Sequence, residues 1–582
     1  MTALLAVGAV TLGTLGLGAW GVRFVRTTSD LLVASRSVTP WWNAAAISGE
    51  YLSAASFLGI AGLEYKLGAA ALWQALGFTA GYLALLLFVA APLRRFGSYT
   101  IPDFAEARLR SPSLRMLAAA IVLLIGGFYL LPQLKGAGLA LNVVTGAPYW
   151  VGVAVVAVIV AVNVAIGGMR GITYVQAFQF WIKVFAISVP ACVLVIHFGG
   201  LPGRAALFGD AWPRAGSHGL VVAGGERVTF PAAGSFSVGT RTVRVRAGER
   251  VVLPRGLVRL PPGDVVPYAD GIKPLRGSQW SRPVGGGGSS SPLFVYSLLV
   301  ATFLGTMGLP HILVRFYTNP NGHAARRTTV HVLSLLGLFY AFPAVYGAIG
   351  RAVAPQLYVT GQTDDVVLRL PTLAWPGTVG TTLGAITAAG AFAAFLSTSS
   401  GLLVSLAGTI SHDVWPRLRR DRSGAGGGVG AASRRLRFRV AAVGAMIVPA
   451  LLALIAKGVD ISILVGWAFA IAASTFCPMF LLGIWWTRLT ARGAAAGMVC
   501  GMTVATAAIF TGLALGQPTN GAEGALLTQP ALVSVPIAFA VMIVVSLRDS
   551  QVFDPGPEML ALHAPEGLGL RIADEELELA VV

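Results

Sequence analysis

Charge, cysteine and lysine are all scarce in this 582-residue chain, and each shortage removes a class of explanation. Only 11% of the residues are charged against 55% hydrophobic, more apolar surface than a water-soluble fold could hide. Lipid must be its solvent. Cysteine occurs three times, at Cys192, Cys477 and Cys500, always inside apolar runs and never as a CxxC pair. That excludes a disulfide framework and a thiolate metal site and leaves packing as the default role. Lysine is rare enough that 37 of the 42 basic residues are Arg, and they carry the net charge of +18. They lie mostly in short loops between apolar runs, so they read as topology signals and not as a nucleic-acid surface. No catalytic residues, and no metal or nucleophile constellation of a membrane enzyme, are found.

What is abundant is the apolar run of about 20 residues that a hydrocarbon core of ~30 Å demands. Thirteen candidate spans are counted, at about 2–22, 41–65, 70–92, 114–142, 149–167, 172–198, 292–314, 329–350, 378–411, 439–456, 460–486, 494–516 and 530–547. The first lacks a basic region before it and is followed by Arg23 and Arg26, which predicts a retained span with the N-terminus outside. Alternate loops should then be cytoplasmic and hold the arginines. Arg36, Arg94, Arg95, Arg108, Arg110, Arg170, Arg315, Arg326 and Arg327 obey this, as do Arg488, Arg492 and the cluster Arg417, Arg419, Arg420, Arg422, Arg434, Arg435, Arg437 and Arg439. The opposite short loops 143–148, 457–459 and 517–529 hold a single Lys457 and no Arg.

The connection 199–291 would lie outside and is itself Arg-rich, but long loops escape the orientation rule. Within it, Arg227-Val-Thr-Phe230 and Thr242-Val-Arg-Val-Arg246 alternate in the manner of short strands, and Gly285 to Ser291 reads as a flexible linker. A solvated, β-rich insertion is expected. The tail 549–582 is short and acidic, with Asp574, Glu575 and Glu576, and is expected in the cytoplasm.

Three spans carry polar chemistry. The second contains Ile47-Ser-Gly-Glu-Tyr-Leu-Ser-Ala-Ala-Ser-Phe-Leu-Gly59, small and polar residues around Glu50. Such a segment opens its backbone easily, although a close helix contact with Glu50 hydrated near one end explains it equally well. The seventh holds Gly305, Gly308 and Pro310, which lower the cost of breaking a helix. Lying five spans apart, the two cross in opposite directions, and paired interrupted helices in matching positions of inverted halves point to a midplane site. In the ninth, Ala394, Ser397, Thr398, Gly401 and Ser405 share one face and offer oxygens of the hard type that alkali cations prefer. Gln133, Lys135, Gln176, Gln179, Lys183 and His311 are further polar residues at depth. Lys135 and Lys183 are long enough to snorkel to an interface, and His311 reads as a structural hydrogen-bonding group.

These segments resemble the sodium:solute symporters, and specifically their cation/acetate branch. The resemblance rests on Gly49 to Gly59, Gly167-Gly-Met-Arg-Gly-Ile-Thr-Tyr-Val-Gln176, Gly305 to Phe316, Ser411-His-Asp413, Val465 to Ser474 and Trp486 to Gly493. It implies an all-α polytopic protein with a leucine-transporter-like core of two inverted five-helix repeats, in which spans 2–11 would be core helices 1–10. The expected division is 1–40, a peripheral helix and cytoplasmic loop; 41–198, the first repeat; 199–291, the insertion; 292–492, the second repeat; 493–548, two peripheral helices; and 549–582, the tail. It further implies Na⁺ as the coupling ion, held by Gly49, Leu52, Ala394, Ser397 and Thr398, with H⁺ as the alternative. A short monocarboxylate such as acetate, propionate or pyruvate would meet the amides of Ala54 and Ala55, with Ser53, Ser56, Gln133, Thr306 and Met307 as neighbours. Such a protein would be a symporter of the bacterial inner membrane with its C-terminus in the cytoplasm, its partners being the organic anion, the ion and the bilayer, and not nucleic acid. Symport of an amino acid or sugar, or a non-transporting sensor of the same fold, are the competing readings.

Overall fold

The computed structural model describes residues 2–21, 38–201, 207–217, 219–270, 272, 274–284, 292–418, 431–516, 521–550 and 555–565. Arg23, Arg26, Arg36, Arg419, Arg420, Arg422, the Gly285–Ser291 linker and the acidic residues Asp574, Glu575 and Glu576 lie outside them. The main helices are α1 (Thr2–Gly21), α2 (Pro40–Tyr51), α3 (Ile60–Leu67), α4 (Leu72–Phe88), α5 (Ile101–Leu109), α6 (Pro112–Thr145), α7 (Tyr149–His197) and α8 (Pro292–Thr306). They continue as α9 (Pro310–Phe316), α10 (Gly322–Tyr340), α11 (Pro343–Val353), α12 (Thr378–Gly408), α13 (Ala431–Ile455), α14 (Ile461–Trp485), α15 (Ala491–Ala514) and α16 (Ala531–Arg548).

Among the described residues, twelve helical segments are long and apolar enough to cross a membrane, one fewer than the sequence count. The difference is the broken second span. The 12 residues of α2 are too few to cross a bilayer alone, and beyond Tyr51 the chain leaves the helix at Leu52 and re-enters it through a π-turn, Ala55–Gly59, that leads into α3. A turn at Gly68, whose φ of +63° suits only glycine, then starts the approach to α4. The fifth and sixth expected spans are Tyr149–Gly167 and Gly171–His197, carried by the single 49-residue helix α7. Thr100, Ser111, Asn321 and Thr490 cap the starts of α5, α6, α10 and α15 with their side-chain oxygens.

Burial sorts the helices by layer. In α14, Ala468, Phe469, Ala470, Ile471, Ala472 and Ala473 are all fully buried, so this helix runs through the middle of the bundle. The outer faces of α7 and α13 carry Val158, Ile196, Leu451 and Ile455, a belt of exposed aliphatic side chains suited to hydrocarbon. Small residues let the inner helices approach. A Cβ on Gly305 would stand 2.5 Å from the Phe469 carbonyl oxygen, and one on Gly49 would stand 2.2 Å from that of Gln176.

Three arginines read as loop charges are instead buried. Arg94 donates at 2.8 Å to the Pro320 carbonyl in the turn before α10, and Arg108 donates at 2.7 Å to the Gly483 carbonyl in the last turn of α14, where carbonyls lack a helix partner. Arg315 is also fully enclosed and belongs to the site described below.

The connection 199–291 forms strands β1 (Leu220–Ala223), β2 (Arg227–Thr229), β3 (Gly234–Val238), β4 (Arg241–Val245), β5 (Arg250–Val252), β6 (Leu257–Leu260) and β7 (Tyr268–Ala269). They pair in two antiparallel sheets, β1-β6-β3-β4 and β5-β2-β7, and the two segments with alternating residues are β2 and β4. Phe230, Phe236, Val228 and Val258 fill the interior. This unit is fixed to the bundle where the Trp280 indole donates to the Tyr65 carbonyl at 3.2 Å and Arg351 donates to that of Leu275 at 2.5 Å.

Candidate functional site: a cation position between two helices

The break after α2 frees carbonyls that a continuous helix would consume, and α12 meets it with hydroxyls. Ser397 Oγ lies 2.7 Å from the Gly49 carbonyl oxygen and 3.1 Å from that of Ala394, one turn back on its own helix. Thr398 Oγ1 donates to the Glu50 carbonyl at 2.5 Å. Gly49, Leu52, Ala394, Ser397 and Thr398, singled out from the sequence, are therefore neighbours, and all five are fully buried. An all-oxygen cluster of this kind attracts a cation.

A cation from the chain itself already stands there. Lys183, on α7, donates to the Leu52 carbonyl at 2.8 Å and also to the Gly49 carbonyl and Ser397 Oγ. Snorkelling is thus corrected for this residue: its side chain is wholly buried, and its three ammonium protons meet three oxygens. Lys135 does not reach water either. Its ammonium pairs with Asp364 at 3.2 Å and with the Val459 carbonyl, and Asp364 also accepts from the Ile461 amide at 3.1 Å.

Beneath this position lies a fully enclosed ion pair. Arg315 Nε, on α9, is 2.6 Å from Glu50 Oε2, and Glu50 is completely buried, not hydrated at a helix end. Arg315 also donates to Thr173 Oγ1 at 2.7 Å and to Gln176 Oε1. The Gln176 amide continues to the Ser397 carbonyl at 2.8 Å, and Asn43 donates to the Arg315 carbonyl at 3.2 Å. One polar network therefore joins α2, α7, α9 and α12, with both charges compensated.

The residues expected around an organic anion gather on the other side of the break. The Ala54 amide donates to Gln133 Oε1 at 2.8 Å, and that of Ala55 to Ser53 Oγ at 3.2 Å. Both amides thus have partners within the chain. Ser56 shares a hydrogen bond of 2.9 Å with Tyr340, and Thr306 one of 2.8 Å with Tyr51. Met307 is buried in the non-helical link between α8 and α9, at the second expected break. Ser53, Ala54, Ser56, Gln133, Thr306 and Met307 are each no more than 1% exposed, so this conformation is closed to solvent on both faces.

Sequence reasoning missed the aromatic wall. The ring of Tyr51 packs edge-on to Tyr82 at 4.7 Å, Phe78 on Phe469 at 4.8 Å, and Tyr129 on His311 at 5.1 Å. Among the described residues, Tyr82 Oη and both His311 ring nitrogens are buried without a hydrogen-bond partner. Free polar atoms at such depth are costly unless a ligand meets them.

A second charged cluster closes the Arg-rich face. Arg115 Nη2 lies 2.5 Å from Asp413 Oδ1 and also pairs with Asp103, while Arg115 Nη1 reaches Glu106 at 2.8 Å. His412 Nε2 is 3.2 Å from Asp103 Oδ2. Burial by itself would raise the Asp103 pKa, but His412 and Arg115 outweigh it and hold it below the ordinary value. Asp103, His412 and Asp413 stand close enough to share a metal ion, yet the Arg115 guanidinium bridges both carboxylates and supplies the countercharge itself.

The profile of the sodium:solute symporter family matches residues 31–225 and 265–501. The chain belongs to that family. An uncharacterized symporter of Bacillus subtilis, YwcA, is 29% identical over 547 residues, covering 93% of each chain. A Na⁺-coupled sialic acid symporter solved in a substrate-bound, outward-open state superposes with a TM-score of 0.67 at 14% identity, covering 95% of this chain and 99% of that one. At that identity the likeness concerns the fold, which is the all-α polytopic, leucine-transporter-like core expected from the sequence. The segment expected as the first repeat, 41–198, runs from α2 to α7, and that expected as the second, 292–492, from α8 to α14.

Proposed function

We propose that this symporter carries a short monocarboxylate, such as acetate, propionate or pyruvate, into the bacterial cell together with a cation bound between α2 and α12, Na⁺ being the expected ion. The observation that carries the reading is the meeting of Gly49, Leu52, Ala394, Ser397 and Thr398 at the α2 break, beside the buried residues Ser53, Ala54, Ser56, Gln133, Thr306 and Met307. The substrate belongs next to the start of the π-turn, where Gln133 now takes the Ala54 amide. Rotation of Gln133 away from that amide lets the carboxylate accept from it at the positive end of the following helix. Tyr82 and His311 are further donors near the same helices, and the aromatic wall suits a short alkyl group better than the many hydroxyls of a sugar. Cation binding would tie α2 to α12 in the outward-facing form, and rocking of the helices would deliver both solutes inward. With the N-terminus outside and the C-terminus in the cytoplasm, the Arg115 cluster would be the inner closure.

The test is uptake of labelled acetate, propionate and pyruvate into proteoliposomes under imposed Na⁺ or H⁺ gradients, with labelled proline and glucose as comparison solutes. Gradient-driven uptake of a monocarboxylate is expected. Uptake of proline or glucose alone, or no uptake at all, overturns the assignment.

A further inference from the structure

The position of Lys183 has no place in a simple sodium site. We propose that its ammonium is a tethered cation that holds the cation position in the unloaded symporter, so that Na⁺ enters only by displacing the side chain. This deepens the cation-coupled reading and rests on it.

Three observations carry the proposal. First, Lys183 takes the same oxygens: the carbonyls of Gly49 and Leu52 and the hydroxyl of Ser397 account for three of the five residues assigned to Na⁺. An ammonium and a metal ion cannot share one set of acceptors a few ångströms across. Second, the surrounding charge does not support two cations. On α2 the nearby carboxylate is Glu50, which is already paired with Arg315 of α9, and the contacts supplied by α12 are the neutral groups of Ser397 and Thr398. On α7 itself, Gln176 and Gln179 flank the lysine and carry no charge. A second positive charge here would be repelled with little dielectric screening. Third, the lysine does mechanical work that the ion would otherwise do. It links α7 to the break in α2 and to α12, so the helices stay joined while the side chain is seated. Loading Na⁺ frees the second span of α7 from that link.

The measurement is binding of radiolabelled Na⁺ to the purified full-length protein in detergent, without organic substrate, combined with melting curves across a Na⁺ series. Lys183→Met removes the ammonium and should bind Na⁺ at least about tenfold more tightly, the gain expected where the seated lysine holds ~90% of the molecules. Na⁺ should raise its melting temperature more than that of the parent. Lys183→Arg, which keeps the charge, should bind Na⁺ no more tightly than the parent. Lys183→Gln serves as a second neutral variant should Met impair folding. Equal or weaker Na⁺ binding by both neutral variants overturns the proposal, whereas the monocarboxylate assignment is judged by uptake in proteoliposomes and can stand without it. Absence of Na⁺ binding in the parent and in both neutral variants overturns the competition and Na⁺ as the coupling ion together.

Discussion

Neutralising Glu50 gives the sharpest check on how the site is held together. Its carboxylate and the Arg315 guanidinium meet at 2.6 Å with side chains 0% and 1% exposed, so neither charge has water to fall back on. Glu50→Gln keeps the shape but leaves Arg315 buried without its countercharge, which costs about 3–5 kcal/mol for a pair of this kind. Arg315→Met costs a similar amount and also strands Gln176, which then holds the Ser397 carbonyl less firmly. The double variant removes both charges, so it should be more stable than the sum of the single losses by at least ~2 kcal/mol. Unfolding of the purified protein in detergent, followed by tryptophan fluorescence for all four members of the cycle, reads this coupling. Single variants within ~0.5 kcal/mol of the parent, or a double variant showing simple additivity, would refute the idea that a closed ion pair anchors the network.

Other expectations follow from the same geometry. Ser397→Ala with Thr398→Val removes two oxygens from the cation cluster and should raise the Na⁺ concentration needed for half-maximal uptake by tenfold or more, about 1.4 kcal/mol; unchanged Na⁺ dependence removes these residues from the proposal. Gly49→Ala places a methyl group 2.2 Å from the Gln176 carbonyl oxygen and should cost about 1–3 kcal/mol and most of the transport. A variant as stable and active as the parent contradicts this close approach. Asp365 lies in the short helical turn Thr363–Asp365; burial lifts its pKa to about 6 although Arg369 opposes the shift. Because the folded state holds this proton more tightly than the unfolded chain, the contribution to stability is complete below about pH 4 and is lost as pH rises through 6. Melting temperatures between pH 4 and 8 should flatten in Asp365→Asn, and an unaltered pH profile would exclude the residue as their source.

Local signals were readable where a residue type changes what a helix can do. The apolar runs marked the spans because lipid leaves little choice of structure, and Gly305, Gly308 and Pro310 marked the break between α8 and α9. The hydroxyl face of α12 was legible because its residues recur at helical spacing. Arg315 was not, since a residue following an apolar run looks the same whether it enters a loop or turns inward to a partner 265 positions away. Lys183 left a weak trace. Gln176, Gln179 and Lys183 fall at i, i+3 and i+7, one face of α7, and a polar stripe inside an apolar helix has to meet something polar. What it meets depends on the packing of α7 against α2 and α12, which no local pattern contains. The aromatic wall was hidden for the same reason, because Tyr51, Tyr82 and Tyr129 come from three different helices.

Uphill movement of a monocarboxylate on a cation gradient is read from accumulation of labelled acetate, propionate or pyruvate in proteoliposomes with Na⁺ high on one side only. The expected internal concentration overshoots the external one and collapses when an ionophore dissipates the Na⁺ gradient. Saturable binding of these anions without accumulation under a Na⁺ or an H⁺ gradient would contradict such transport and favour a sensor of the same fold.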